Sequence, residues 1–148
     1  MPKTRKKTND ARYPSDYFPD IDEWPNDWKG GEEDLAIGRG LLALFTLFFQ
    51  HLIDEGLAKN TLRNHGCHLR LLGGEIIERL NQGDEDKRKL SPTELILYYV
   101  DDEGGPLLSF WSPNIKSELA RHMAYDATCR KLLKFMTRKT HASRQTFG

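Results

Sequence analysis

The fold is decided by the stretch Leu41-Leu-Ala-Leu-Phe-Thr-Leu-Phe-Phe49. Around it, from residue 33 to residue 55, apolar side chains recur at helical spacing, and in the centre they occupy nearly every side of the helix. This pattern is typical of a helix in the centre of a core. Gly56 follows and is well placed to end the helix in a left-handed conformation. The apolar run stops at Gln50-His51, short of the roughly 20 residues that a bilayer span needs, so we expect no membrane association.

A second helix is predicted from Lys59 to about residue 80, and it has two distinct faces. Its apolar stripe consists of Leu62, Leu69, Leu72, Ile76 and Leu80. Three basic residues project together about a quarter turn away, on the same side as Gly66; they are Lys59, Arg63 and Arg70. Gly73-Gly74 either interrupts this helix, at about 1 kcal/mol per glycine, or permits another part of the chain to approach its backbone closely.

Two further helices are predicted after residues 81–89, which we expect to form a solvated loop. Ser91-Pro-Thr-Glu94 is a capping box with proline at the first helical position, so a short helix is expected from Pro92 to about Asp101. Ser112-Pro113 similarly begins a long helix that ends near Lys139. The buried face of this helix is expected to hold Tyr125, Cys129, Leu132 and Met136, and its opposite side Arg130, Lys131, Lys134 and Arg138.

No segment alternates between apolar and polar residues with the period of a strand, so the sequence predicts an all-α fold, a bundle of four to five helices. Residues 34–138 form this helical domain, and its core is expected to centre on Phe45, Phe49, Leu69, Leu72 and Leu132. Residues 139–148 are expected to form a flexible basic tail.

Residues 1–33 form an N-terminal arm that contains four of the seven prolines and a dense acidic stretch, and we expect it to be poorly ordered. The aromatic side chains of the arm do not suit a solvated tail; they are Tyr13, Tyr17, Phe18, Trp24 and Trp28. Two alternatives remain open for them. The arm packs either on its own domain or on the surface of a partner.

The composition bounds the class of protein. With 148 residues, of which 38% are apolar and 30% charged, and a mean hydropathy of −0.65, the chain fits one soluble domain with tails. Its two cysteines give no disulfide framework, and no apolar segment follows the basic N-terminus to make a secretory signal. We therefore expect a reduced, cytoplasmic protein.

The net charge is zero, which excludes a uniformly basic nucleic-acid binder, but the charges are segregated along the chain. Residues 10–34 carry nine acids and two bases, whereas residues 116–148 carry eight bases and two acids. This distribution permits a local basic surface, which is what phosphate binding requires.

No pattern gives a positive case for an active site. His65-Gly-Cys67-His68 contains metal-ligand types, but a structural zinc site needs four ligands, and only isolated histidines and Cys129 remain to complete it. Neither cysteine has a neighbouring motif that would activate it as a nucleophile. The acidic clusters at 84–86 and 101–103 lack the arrangement of a catalytic pair or a calcium loop. We expect no enzymatic activity, no metal and no cofactor.

The segment from Phe45 to His65 resembles the N-terminal core-binding domain of tyrosine recombinases and phage integrases. That SAM-like helical domain has an apolar helix that ends in a Gly-Leu-Ser turn, followed by a threonine and a helix with further leucines. The matching positions here are Phe48-Phe49, Leu52, Gly56-Leu57, Thr61-Leu62, Leu69 and Leu72. Residues 125–135 are similar to the last long helix of the family. The resemblance covers residues 34–138 and implies a SAM-like bundle.

Two departures from the family pattern matter. Ala58 stands where the family has a capping serine, so this helix start lacks a hydroxyl. The family's catalytic domain has no counterpart, because His141-Ala-Ser-Arg144 has the letters of its His-x-x-Arg motif but no tyrosine follows. The resemblance therefore implies a non-enzymatic module, either a stand-alone integrase-like accessory protein or a fragment of a split or decayed recombinase.

In the resembling family, the second and fourth helices approach the major groove of duplex DNA. The DNA contacts that the resemblance implies here are Lys59, Thr61, Arg63, Arg70, Arg130, Lys131, Lys134 and Arg138. Most of these are expected to contact phosphate, and the two basic faces must then lie on one side of the fold. The alternative is a protein-interaction adaptor, in which the domain and the arm grip a recombinase or another protein and the basic faces are incidental.

Overall fold

The computed structural model describes residues 11–109 and 116–147, with side chains as far as residue 138. The described chain is mostly helical and contains no strand; an isolated antiparallel bridge joins Asp101 and Gly104. Its six α-helices are α1 (Pro14–Tyr17), α2 (Trp24–Trp28), α3 (Asp34–Asp54), α4 (Lys59–Asn81), α5 (Pro92–Tyr99) and α6 (Lys116–Phe147). Two 3-10 turns lie at Ile21–Glu23 and Glu85–Lys89. The all-α prediction is confirmed for this part of the chain.

The core lies where α3 and α4 pack side by side and α5 and α6 close over them. All five residues on which the core was expected to centre are buried: Phe45, Phe49, Leu69, Leu72 and Leu132. Gly56 ends α3 with a φ of +81°, as predicted, so the chain reverses within a few residues and α4 returns along α3. This short turn sets the end of α3 beside the start of α4.

The central helix α3 is long and apolar enough, with a mean hydropathy of 1.5, to meet the length and composition of a membrane span. A core helix meets the same test, because burial in protein and burial in lipid select the same side chains. In this fold, the core side of α3 packs on α2, α4 and α5.

The boundaries of the later helices differ in part from the expectation. The capping box of α5 is confirmed, with the Glu94 amide donating to Ser91 Oγ at 3.1 Å and the Ser91 amide donating to the Glu94 carboxylate at 2.9 Å. The helix α6 continues to Phe147, past the end expected near Lys139 and through the segment expected to be a tail. Its predicted start at Ser112-Pro113 lies outside the described residues.

The arm is ordered over residues 11–33, so the expectation of poor order is wrong there. Trp24 is only 1% exposed, and Tyr17, Phe18 and Trp28 pack against the core cluster. The aromatic rings form a chain from the arm into the domain, since the Trp24 and Trp28 ring centroids are 6.2 Å apart and those of Trp28 and Phe45 6.1 Å. Of the two alternatives for the arm, packing on its own domain is the one observed.

The glycines of α4 explain how the arm packs so closely. The helix is continuous through Gly73-Gly74, and a Cβ added at Gly73 would overlap the indole ring of Trp28. A Cβ added at Gly66, two turns earlier on the same side, would overlap the ring of Phe18. The Trp28 Nε1 group also donates to the Arg70 carbonyl oxygen at 3.0 Å. Close backbone approach, and not helix interruption, is therefore the role of these glycines.

A buried carboxylate holds the start of α3 in place. Asp34 is 0% exposed and accepts hydrogen bonds from the Gly30 amide at 2.7 Å, the Gly31 amide at 3.2 Å and Asn81 Nδ2 at 2.9 Å. Its other oxygen lies 2.8 Å from Arg88 Nη2. Residues 81–89 are therefore not simply a solvated loop as predicted, because Arg88 is paired across the fold. Burial alone would raise the pKa of Asp34, but these donors lower it from 3.8 to about 2.

The stability of the protein is expected to depend on the ionisation of Asp34. Because the folded pKa lies below the ordinary value, this carboxylate stabilises the fold above about pH 4, and the effect disappears as the pH falls towards 2. A shift from 3.8 to about 2 corresponds to about 2 kcal/mol. Urea unfolding measures the free energy of unfolding of the wild type and of Asp34→Asn. The difference between the two proteins should be about 2 kcal/mol larger at pH 6 than at pH 2. The exposed Asp22→Asn is the control, and an equal Asp34→Asn difference at both pH values would contradict the assignment.

Candidate nucleic-acid interface

The structure places every residue of the predicted DNA contact at the surface. All eight side chains are exposed: Lys59, Thr61, Arg63, Arg70, Arg130, Lys131, Lys134 and Arg138. They do not form one continuous face, however. The requirement that the basic faces of α4 and α6 lie on one side of the fold is therefore not met, because the arm packs against the basic stripe of α4 and α6 packs on the opposite side of that helix. The two sides of α4 have different neighbours: the arm packs on one side and α6 packs on the other.

The basic stripe of α4 lies on the side that faces the arm. Arg70 Nη2 is 2.7 Å from Asp27 Oδ2, and the guanidinium lies 5.8 Å from the centroid of the Trp24 ring. By the helical rotation of about 100° per residue, Lys59 and Arg63 share this side with Arg70. The charge of Arg70 is therefore balanced within the fold by an acidic residue of the arm.

The opposite side of α4 packs on α6 through a polar cluster. The Nδ1 atoms of His65 and His68 both lie 2.7 Å from Thr128 Oγ1. The Thr128 hydroxyl also lies 3.5 Å from the Ala124 carbonyl oxygen of its own helix, and at least one of the two histidines donates its Nδ1 hydrogen to the hydroxyl oxygen, because the hydroxyl has only one hydrogen to donate. Burial, with the neighbouring charge of Lys131, lowers the pKa of His65, and burial also lowers the pKa of His68, to about 4. Both rings are therefore neutral at pH 7. Thr61 lies one helical turn before His65, on this same side of α4.

This cluster contains the two histidines whose side chains are of the kind that bind metals, and its hydrogen bonds give them another role. His65 and His68 are engaged by Thr128, and Cys67 is exposed. Within the described residues, no group of three or more potential ligands is close enough to hold a metal ion. The other cysteine, Cys129, is buried, and burial raises the pKa of its thiol to about 12, so it is protonated at pH 7. The cluster therefore joins helices, and the protonated Cys129 thiol is a poor nucleophile.

Three of the bases of α6 surround a single cleft, which we name the basic cleft. It has a volume of about 220 Å³ and lies between α6 and the C-terminal end of α3. Lys131, Lys134 and Arg138 line it together with Phe48, His51, Leu52, Glu55 and Phe135. In the described part of the chain, none of the three cations forms an ion pair. With three cations and the single carboxylate of Glu55 in its lining, the cleft gives this end of the bundle, beside the start of α4, a net positive charge.

The fourth base of α6 lies elsewhere. Arg130 Nη1 is directed at the carbonyl oxygen of Glu103 at 3.4 Å, next to the turn bridged by Asp101 and Gly104. The sequence placed Arg130, Lys134 and Arg138 in one stripe because they are four residues apart. The fold separates them, since the turn that follows α5 reaches Arg130 and the end of α3 reaches the other two.

The chain was compared with family models, with curated proteins and with solved structures, and none of the three comparisons finds a match.

Proposed function

We propose that this protein is a non-enzymatic DNA-binding module, and that its helical domain is of the SAM-like core-binding type found in tyrosine recombinases and integrases. The observation that carries the proposal is the basic cleft, where Lys131, Lys134 and Arg138 are exposed and form no ion pair among the described residues. Lysine and arginine without carboxylate partners are the groups that replace counterions on DNA phosphates.

The spacing of these cations suits a phosphate backbone. Lys131 and Arg138 are seven residues apart on one helix, which is about 10 Å along its axis. Phosphates of one DNA strand follow one another at about 3.4 Å along the duplex axis, so the cations span about three of them. Thr61, at the exposed start of α4 on the side that packs on α6, extends the surface, whereas Arg63 lies on the side of α4 that faces the arm. We assign a smaller part to Arg70, whose charge Asp27 already balances.

The adaptor alternative is favoured by the separation of the basic faces of α4 and α6, but the arm gives it less support than expected. It relied on an arm whose aromatic side chains were free to grip a partner, whereas Trp24 is buried and Phe18 and Trp28 pack on α4. A cytoplasmic location, with duplex DNA as the partner and a recombinase as a second one, is part of the proposal.

The salt dependence of DNA binding tests the proposal. If the three cations of the basic cleft each neutralise one phosphate, log affinity should fall linearly with log salt concentration with a slope of about −2.7. Fluorescence anisotropy on random-sequence and defined blunt duplexes, from low to physiological salt, measures it. Similar slopes on all sequences would indicate phosphate contacts. Absence of binding at low ionic strength would overturn the proposal.

A further inference from the structure

Part of the lining of the basic cleft is aromatic, which phosphate binding alone does not require. We name these rings, Phe48, His51 and Phe135, the aromatic floor of the cleft. The half-buried ring of Phe135 lies 5.5 Å from the ring of Phe48 and 5.0 Å from that of His51, centroid to centroid. The planes of His51 and Phe135 are tilted by 37°, and both rings line the cleft together with the three cations. Glu55 fixes the His51 ring, since its Oε2 atom is 3.1 Å from His51 Nε2.

A floor of rings with cations at the rim matches one kind of ligand. A flat ring can stack on the aromatic floor while a phosphate attached to it reaches Lys134 or Arg138, as in proteins that bind single strands. Bases within a duplex are stacked on one another and cannot offer a face, so only an unpaired base fits this arrangement. The volume of about 220 Å³ is below the roughly 300 Å³ at which pockets for whole drug-sized ligands begin, so the cleft suits one ring system.

The charges of the lining favour the same ligand. Three cations face one carboxylate, Glu55, so the cleft is net positive. The carboxylate lies near the floor beside His51, where it can accept a hydrogen bond from an amino group on the edge of a base. The lining also contains the buried apolar side chains of Phe48 and Leu52, which suit a ring and not a second phosphate.

We propose that the basic cleft binds one unpaired nucleotide of a DNA strand, with its base on Phe135 and His51 and its phosphate on Lys134 and Arg138. This inference rests on the proposed function and deepens it, because it names the substrate as DNA that carries an unpaired end or gap next to a duplex. On a blunt duplex the three cations contact duplex phosphates. Beside an unpaired end, Lys134 and Arg138 instead contact the phosphate of the unpaired nucleotide, and its base gives the cleft its selectivity.

The experiment compares three labelled DNAs of identical duplex sequence: a blunt duplex, the duplex with a short single-stranded overhang, and the duplex with an abasic overhang of equal length. The two overhangs carry the same phosphates, so their difference reports the bases alone. Stacking of one base is expected to tighten binding about tenfold for the normal overhang over the abasic one. The variants Phe135→Leu and His51→Gln should each bring this ratio close to one while blunt-duplex affinity stays within about twofold.

Each outcome separates the two proposals. Equal binding of normal and abasic overhangs by the wild type would overturn the nucleotide site and leave duplex binding intact. A tenfold ratio that both variants preserve would overturn it as well, because the base would then stack elsewhere. Absence of salt-dependent binding to all three DNAs would overturn the proposed function itself. Circular dichroism melting identifies a variant that fails to fold, and the other variant then carries the test.

Discussion

The double variant Lys134→Gln/Arg138→Gln is expected to bind blunt duplex DNA on the order of 30-fold more weakly than the wild type at low salt, from two charged contacts of about 1 kcal/mol each. The slope of log affinity against log salt should become less steep by about 1.8, since each lost phosphate contact removes about 0.9. Glutamine keeps much of the side-chain length and removes only the charge. Both side chains are exposed, so the fold should be unaffected.

The matched control is Arg39→Gln/Lys89→Gln, which removes the same number of charges at the other end of the bundle. Arg39 lies near the start of α3, and Lys89 follows Arg88, which is paired with Asp34 at that start. The basic cleft is at the far end of α3, and its His51 lies twelve residues, or about 18 Å along the helix axis, from Arg39. The control is expected to alter the slope by less than about 0.3. If both double variants weaken binding equally, the cleft has no special role and only net charge matters.

Much of the helical framework follows from local sequence signals. Gly56 ends α3 and Ser91 begins α5 as predicted, because a left-handed turn and a capping box are each specified by a few neighbouring residues. Burial of Phe45 and Leu72 follows from helical periodicity, which depends only on spacing along the chain. These features need no knowledge of what lies on the other side of the helix.

The basic faces of α4 and α6 show that local patterns do not predict the tertiary partners of exposed side chains. Periodicity correctly predicted that Arg70 and Arg130 are exposed, but exposure does not tell which neighbour reaches a side chain. Arg70 is paired with Asp27, 43 residues away in an arm that was expected to be poorly ordered. The link between His65 and Thr128 was missed for the same reason, since it joins residues 63 apart. Contacts of this kind are decided by tertiary packing, which no local pattern encodes.

The arm was expected to be poorly ordered because of its acidic residues and prolines, although its aromatic residues already indicated that it packs on a surface. The glycines of α4 provide that surface. Acidic residues and prolines are typical of disordered segments. Gly66 was noted only as lying on the side of the bases, and Gly73-Gly74 was expected either to interrupt α4 or to permit close backbone approach; each glycine costs helix propensity. Their meaning emerges only when Phe18 and Trp28 are seen against them, because the lost propensity is offset by the burial of two aromatic rings.

The substitution Gly73→Ala is expected to lower the free energy of unfolding by about 3 kcal/mol, which is about 10 °C in Tm for a chain of this size. The added methyl would overlap the indole of Trp28, so the ring must leave α4 and lose its hydrogen bond to the Arg70 carbonyl oxygen. Differential scanning calorimetry and urea unfolding measure the change. This effect exceeds the gain of about 1 kcal/mol that alanine brings to a helix interior.

The neighbouring Gly74→Ala is the matched control, because its Cβ would lie 3.3 Å from Trp28 Cδ1, a tight contact without overlap. Its propensity gain and this contact nearly offset each other, so a change within about 1 kcal/mol is expected.

A second comparison introduces Gly73→Ala into the Trp28→Ala variant. With the indole gone, Gly73→Ala should become stabilising by up to about 1 kcal/mol, a reversal of sign that only the Gly73–Trp28 contact explains. If Gly73→Ala destabilises both backgrounds equally, the glycine serves something other than the arm.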